Sequence, residues 1–260
     1  MKYVIITGAS KGLGSALAEV LMEKGELVHL LCVARRANQS LADQAAKLEI
    51  SMDVIQADLA EVETLETLMV QIFAKIDFSK ATGLYLVNNA GMVEPIAPLS
   101  KYTAGEILTN LHVNLAAPMA LTAAFLRLSR ELAAPKRVVT VTSGASKRAI
   151  YGWSAYCAAK AGVNLFTGCA AEEEKDEKNG TQLAAFSPGV MDTDMQVTIR
   201  SSKEADFKPL ADFVKFKTDG VLRPAKVVAE ALASLLFADD FPNGEFVDVK
   251  DLLEIQSSST

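Results

Sequence analysis

A tyrosine and a lysine stand four residues apart in the stretch Ser154-Ala155-Tyr156-Cys157-Ala158-Ala159-Lys160. The stretch is rich in alanine and free of Gly and Pro, so it predicts a helix. Side chains at i and i+4 lie one above the other on one helix face. An ammonium beside a phenol favours the phenolate and lowers its pKa from about 10. A tyrosine so placed can exchange a proton near neutral pH. Ser143 lies upstream, directly after the apolar run 137–142. That run reads as a strand, which puts Ser143 at a strand end. From there its hydroxyl can hydrogen-bond the same substrate oxygen that Tyr156 protonates. The pair alone is weak evidence. Tyr and Lys at this spacing also arise as a half-buried ring and a solvated charge.

A second signal sits at the start of the chain. Thr7-Gly8-Ala9-Ser10-Lys11-Gly12-Leu13-Gly14 follows a short apolar run and opens a helical one. Glycines let the backbone approach a pyrophosphate, and the free N–H groups of a helix start favour the anion. The spacing is GxxxGxG rather than GxGxxG, and a plain glycine turn is the alternative. An NAD site carries an Asp or Glu about 20 residues further on. Here that place reads Ala34-Arg35-Arg36, with no acid. Arg35 can pair with a 2′-phosphate, Arg36 stands beside it, and Lys11 adds charge, so the expected cofactor is NADPH/NADP+. Asp58 and Leu59 could hold the adenine edge. Asp58 could equally be a helix N-cap.

The elements that position these groups alternate. Strands are predicted at 3–7, 27–34, 52–57, 83–87, 137–142, 182–186 and 245–249. Helices are predicted at 12–24, 40–49, 62–76, 154–175 and 224–237. A long helical stretch, 103–132, contains Pro118, which predicts a kink or break there. Apolar strands alternating with helices give an α/β, Rossmann-like, doubly wound parallel sheet of about seven strands, covered on both faces. Ligands of such sheets bind beyond the strands' carboxyl ends. All the candidate residues except Asp248 are expected at such ends. The stretch 196–220 is long and mixed in character, and is expected to be a lid that orders over substrate.

The chain has 260 residues, half of them hydrophobic, which suits one domain over 1–260. A net charge of -6 argues against nucleic acid or an anionic membrane as partner. No apolar run reaches the ~18 residues of a spanning helix. Cys32, Cys157 and Cys169 cannot all pair, show no metal spacing and fit a reducing compartment. The N-terminus runs directly into a strand rather than a signal peptide. These features give a cytoplasmic location as the expectation.

Taken together, the turn at 7–14, Asp58-Leu59, Asn88-Asn89-Ala90-Gly91, Asn114, Ser143, Tyr156, Lys160 and Pro188-Gly189-Val190-Met191-Asp192-Thr193 resemble the short-chain dehydrogenase/reductase family. The resemblance covers nearly the whole chain. It implies a small-molecule carbonyl substrate and a catalytic tetrad at Asn114, Ser143, Tyr156 and Lys160. It also implies that Tyr156 protonates the substrate oxygen, Ser143 orients it and Lys160 binds the nicotinamide ribose. Asn114 would hold a relay water, or simply be satisfied by a neighbouring carbonyl. Residues 188–193 would wrap the carboxamide end of the cofactor, and 89–91 would lie along it. Within the family, 152–160, 192–196 and 241–248 resemble sepiapterin reductases. That implies a pterin side-chain diketone as substrate, with Asp248 anchoring the pterin. Bacterial benzil reductases share the resemblance, so a bulky aromatic 1,2-diketone is the alternative. Trp153, Gly189, Met191, Met195 and Phe207 are the expected neighbours of substrate and cofactor. The helices around 116–132 and 158–171 are expected to pair in a homodimer. A non-catalytic NADP-binding sensor is the reading from another class.

Overall fold

Successive residues of a strand point to opposite faces of a sheet. In β1 (Lys2–Thr7) both sets are apolar. Val4 and Ile6 enter one hydrophobic core, Tyr3 and Ile5 another. β2 (Val28–Ala34), β4 (Gly83–Asn88), β5 (Lys136–Val141) and β6 (Gln182–Ser187) are likewise buried almost throughout. Such strands need cover on both sides, and a parallel sheet with crossover helices provides it. In the computed structural model, which describes residues 1–25 and 27–258, β3 (Ser51–Gln56) and β7 (Phe246–Asp248) form the edges. The sheet has seven strands in the order β3-β2-β1-β4-β5-β6-β7, and every pairing is parallel.

One core lies under α1 (Gly12–Glu23) and α9 (Ala225–Leu236), filled by Leu17, Leu21, Leu232 and Leu236. The other lies under α3 (Leu65–Phe73), α5 (Ala117–Ser129) and α6 (Ser154–Glu174), filled by Met69, Leu121, Phe125 and Ala170. α2 (Gln39–Lys47) leads into the β3 edge. Strand order reverses where β1 meets β4, and the crevice beyond those two strand ends is where such sheets bind ligands.

Helix and strand ends fall within a few residues of expectation, but four points differ. First, α4 (Ala104–Leu111) runs into α5 without a break, through a π-helical turn at His112–Ala116. Pro118 has no N–H for the Asn114 carbonyl, and its ring would crowd that carbonyl in regular α geometry. The wider turn, closed by Ala117 N–H to His112 O, relieves the conflict inside a continuous helix. Second, the unbroken stretch Ala104–Ser129 is long and apolar enough to cross a bilayer by length and composition. Breaking it at Pro118 hid this. Its Leu121 and Phe125 pack onto the sheet. Third, residues 196–220 are largely helical, as α7 (Asp194–Arg200) and α8 (Leu210–Thr218). Fourth, Asp248 ends β7 and pairs in register with Ser187, so it too stands at a carboxyl end. A further helix, α10 (Val249–Ser258), follows it directly.

Candidate active site

The apolar stripe of α6 includes Ala155, Tyr156, Ala159, Lys160 and Val163, so the sheet-facing side carries both candidate groups inward. Tyr156 is 6% exposed and Lys160 3%. Ser143 lies two residues past the end of β5, close to the expected place, and its hydroxyl is near enough to the Tyr156 phenol to favour the phenolate. The Ser143 Oγ also accepts from Ala145 N–H at 3.1 Å, which fixes its direction. Lys160 Nζ donates to the Val141 carbonyl at 2.9 Å and lies 5.9 Å from the centre of the Tyr156 ring.

The expected acidification of Tyr156 is therefore not what the structure shows. Burial pushes the phenol up to about 12, with the nearby Ser143 hydroxyl pulling the other way. Burial also pushes the Lys160 ammonium down to about 8. The i,i+4 spacing set the lysine beside the ring, but burial is the largest influence on both groups. A phenol that keeps its proton at neutral pH is a proton donor.

Asn114 lies in the π-helical turn and is fully buried. Its amide donates to Met92 O at 2.8 Å and accepts from Met92 N–H at 3.1 Å. Its side chain is thus satisfied by neighbouring backbone, and it clamps the segment after β4. A Cβ on Gly91 would lie 3.1 Å from Asn114 Oδ1 and 3.7 Å from Lys160 Nζ. The bare glycine lets this segment sit against both.

The glycine turn fits a dinucleotide's phosphates. No side chain caps α1 at Lys11, and its first turn carries no acid, so its leading N–H groups remain free for an anion. Gly8 sits at φ 68°. A Cβ on Gly14 would lie 2.4 Å from the Gly8 carbonyl oxygen. Leu13 points into the core behind the turn. Asn89, expected along the cofactor, braces the turn with its side chain, donating to Thr7 O at 2.9 Å and Gly8 O at 3.2 Å. Ala90 N–H donates to Thr7 Oγ1 at 3.1 Å. Asn38 was not anticipated. Its amide donates to Ser10 O and Ser15 Oγ, each at 3.1 Å, while its oxygen caps α2. Asn before a helical run was the available signal.

Arg35 and Arg36 are exposed just past β2 and join no ion pair among the described residues. Lys11 does not stand free with them. It pairs with Asp194 at 2.7 Å, bridging the turn to α7. Asp58 accepts from Ala60 N–H at 3.0 Å in a local turn, and the Leu59 side chain is buried in the core. Only backbone of Leu59 is thus available to a base.

Residues 188–193 come back over the crevice. A Cβ on Gly12 would lie 3.6 Å from Thr193 Cγ2. Gly189 is at φ 67°, with Arg223 Nη1 3.0 Å from where its Cβ would be, a neighbour the sequence did not single out. Val190 accepts from Arg223 N–H at 3.0 Å, Met191 forms a bridge to Arg223, and Pro188 precedes them. Met191 packs on the core under α1 and α9, not with Trp153 as expected.

An aromatic cluster covers Tyr156. Trp153 lies 5.4 Å from it, ring centre to ring centre, with Phe207 at 4.8 Å and Phe213 at 5.3 Å from Trp153. Met195 joins this cluster. Gly152 and Asp206 are in such close contact that a Cβ on Gly152 would lie 2.4 Å from the Asp206 carbonyl oxygen. The Lys101–Asp206 pair holds the same corner at 2.5 Å. Asp248 has local duties. One oxygen accepts from Ser187 Oγ at 3.2 Å and the other from Lys250 N–H at 3.1 Å, at the start of α10.

The phenol–serine pair, the neighbouring ammonium and the open helix start lie together at the strand ends. A family described as short chain dehydrogenase matches residues 2–204. The chain belongs to that family. It is accordingly an oxidoreductase acting on CH–OH and C=O groups. A benzil reductase ((S)-benzoin forming) of Bacillus cereus is 40% identical over 251 residues, 96% of this chain and 100% of its own. A sepiapterin reductase of Xenopus tropicalis is 27% identical, covering 95% of each chain. A solved Beutenbergia cavernae structure with bound NADP at low occupancy has a TM-score of 0.81 at 25% identity, covering 95% of this chain and 94% of its own.

Proposed function

We propose that the protein is an NADPH-dependent reductase of bulky aromatic 1,2-diketones that yields an α-hydroxyketone. The 40% identity to the Bacillus cereus benzil reductase, sustained along the whole chain, carries this reading. The pterin reading gives way. Its relatives stand at 27–29%, and each oxygen of Asp248 already serves a local contact, with Ser187 or with the Lys250 N–H. Aromatic walls at Trp153, Phe207 and Phe213 support an aryl substrate.

NADPH supplies a hydride to the substrate carbonyl carbon when bound. The free N–H groups at the start of α1 would hold its pyrophosphate, and Arg35 its 2′-phosphate. Tyr156 gives the proton to the substrate oxygen, while Ser143 holds that oxygen in place. The Lys160 ammonium offsets the phenolate left behind. α7 and α8 form a lid that must lift Phe207 and Phe213 for substrate to reach the buried phenol. Exposed Met119 and Leu165, on α5 and α6, support pairing in a homodimer. The three free thiols support a reducing, cytoplasmic setting.

NADPH oxidation measured with benzil, sepiapterin and simple monoketones tests the substrate. Benzil is expected to give the highest kcat/KM. Asp248→Ala should keep benzil turnover within about twofold and cost ~1 kcal/mol of stability through its lost cap. Preference for sepiapterin, abolished by Asp248→Ala, would restore the pterin reading.

Cofactor affinity should also depend on pH. Lys160 is charged below about 8 and loses its proton above it. NADPH should bind more weakly as pH rises through that range, by at most about tenfold per pH unit for one linked proton. Fluorescence titration of wild type and Lys160→Met checks this. Identical pH profiles in the two would remove Lys160 from cofactor binding.

A further inference from the structure

Trp153 is the chain's one tryptophan, and 4% of it is exposed. Its Nε1 is buried and meets no acceptor among the described residues. The other unpaired buried side-chain atoms there are all oxygens. An indole N–H can only donate, and a buried donor without an acceptor is costly. Such a group in a native core calls for an explanation.

Its position supplies one. Trp153 precedes α6 and stands three residues before Tyr156, with the rings edge to face at 66°. Phe207 and Phe213 close round the same indole. The N–H is therefore an unsatisfied polar atom on an aromatic wall next to the proton donor. A vicinal diketone carries two oxygens on adjacent carbons. Tyr156 and Ser143 engage the one that is reduced. The other keeps its carbonyl character through the reaction and needs a donor of its own.

We infer that the Trp153 indole N–H donates a hydrogen bond to the second, unreduced carbonyl oxygen of the diketone, and so selects dicarbonyls over monoketones. This rests on the aryl diketone reading above. The bond is retained from substrate to product, because the α-hydroxyketone still carries that carbonyl. The aryl rings take their places among Trp153, Phe207 and Phe213 as the lid lifts. The indole N–H then fixes which way round the diketone lies.

Two measurements test this. In the first, Trp153→Phe keeps an aromatic ring and removes the donor. Its kcat/KM should fall about tenfold for benzil and less than about twofold for 1,2-diphenylethanone, which lacks the second oxygen. In the second, the single indole N–H proton resonance of the wild type is followed by NMR, with NADP+ present so that nothing turns over. Benzil should move it downfield, and 1,2-diphenylethanone should not. If the resonance responds alike to both ketones, or the variant slows both equally, the donor role is overturned while the diketone reading stands. If wild type does not reduce benzil, the substrate reading fails and this inference fails with it.

Discussion

Tyr156→Phe is expected to lower kcat about a thousandfold with benzil while NADPH binds as before. The reasoning is local. The variant keeps the ring that packs against Trp153 and loses only the hydroxyl. That hydroxyl lies near Ser143 and retains its proton at neutral pH because burial pushes it up to about 12. Without it, negative charge building on the substrate oxygen has Ser143 alone as partner. Ser143 can orient and stabilise but does not complete the proton transfer. A protein that merely sensed NADP would be indifferent to the change. Stopped-flow hydride transfer and equilibrium binding separate the two outcomes. Turnover within about tenfold of wild type would show that another group delivers the proton.

Arg35→Ala should weaken NADPH by about thirtyfold and leave NADH nearly untouched, as expected for losing one charge-assisted contact to a phosphate. Arg35 is exposed and shares no ion pair among the described residues, so its removal breaks no ion pair there. Lys11 cannot easily substitute, since it is paired with Asp194. The comparison of the two cofactors by initial rates carries the result. Equal losses would mean that Arg35 supports the crevice generally rather than the 2′-phosphate.

The sequence made the order of elements legible because both periodicities were strong. Continuous apolar strands and amphipathic helices left few other arrangements. Ser143, Tyr156 and Lys160 were readable for the same reason: two lie one turn apart on a helix, and the third lies just past a strand's end. What stayed hidden depended on contacts distant in sequence. Nothing near Tyr156 tells how completely it is buried, so the upward push of desolvation on its phenol was not foreseen. The sequence does not show that the Asn89 amide braces the turn at Gly8. Lys11 reads as a free cation until Asp194, far along the chain, is seen to hold it. Residues 196–220 lacked a clean period because their apolar side chains, Phe207 and Phe213, face an aromatic cluster rather than a sheet.

The widened turn at His112–Ala116 constrains how this chain can change length. It acts as one surplus residue accommodated within an otherwise regular helix. Deleting a residue there would leave the helix on either side in phase, but it would restore ordinary α geometry and with it the crowding between Pro118 and the carbonyl four residues before it. Leu121 and Phe125 would keep their places on the sheet, while the wide turn that presents Asn114 to Met92 would be lost. Descendants of this chain can therefore gain or lose residues in surface connections, but this stretch must keep its count.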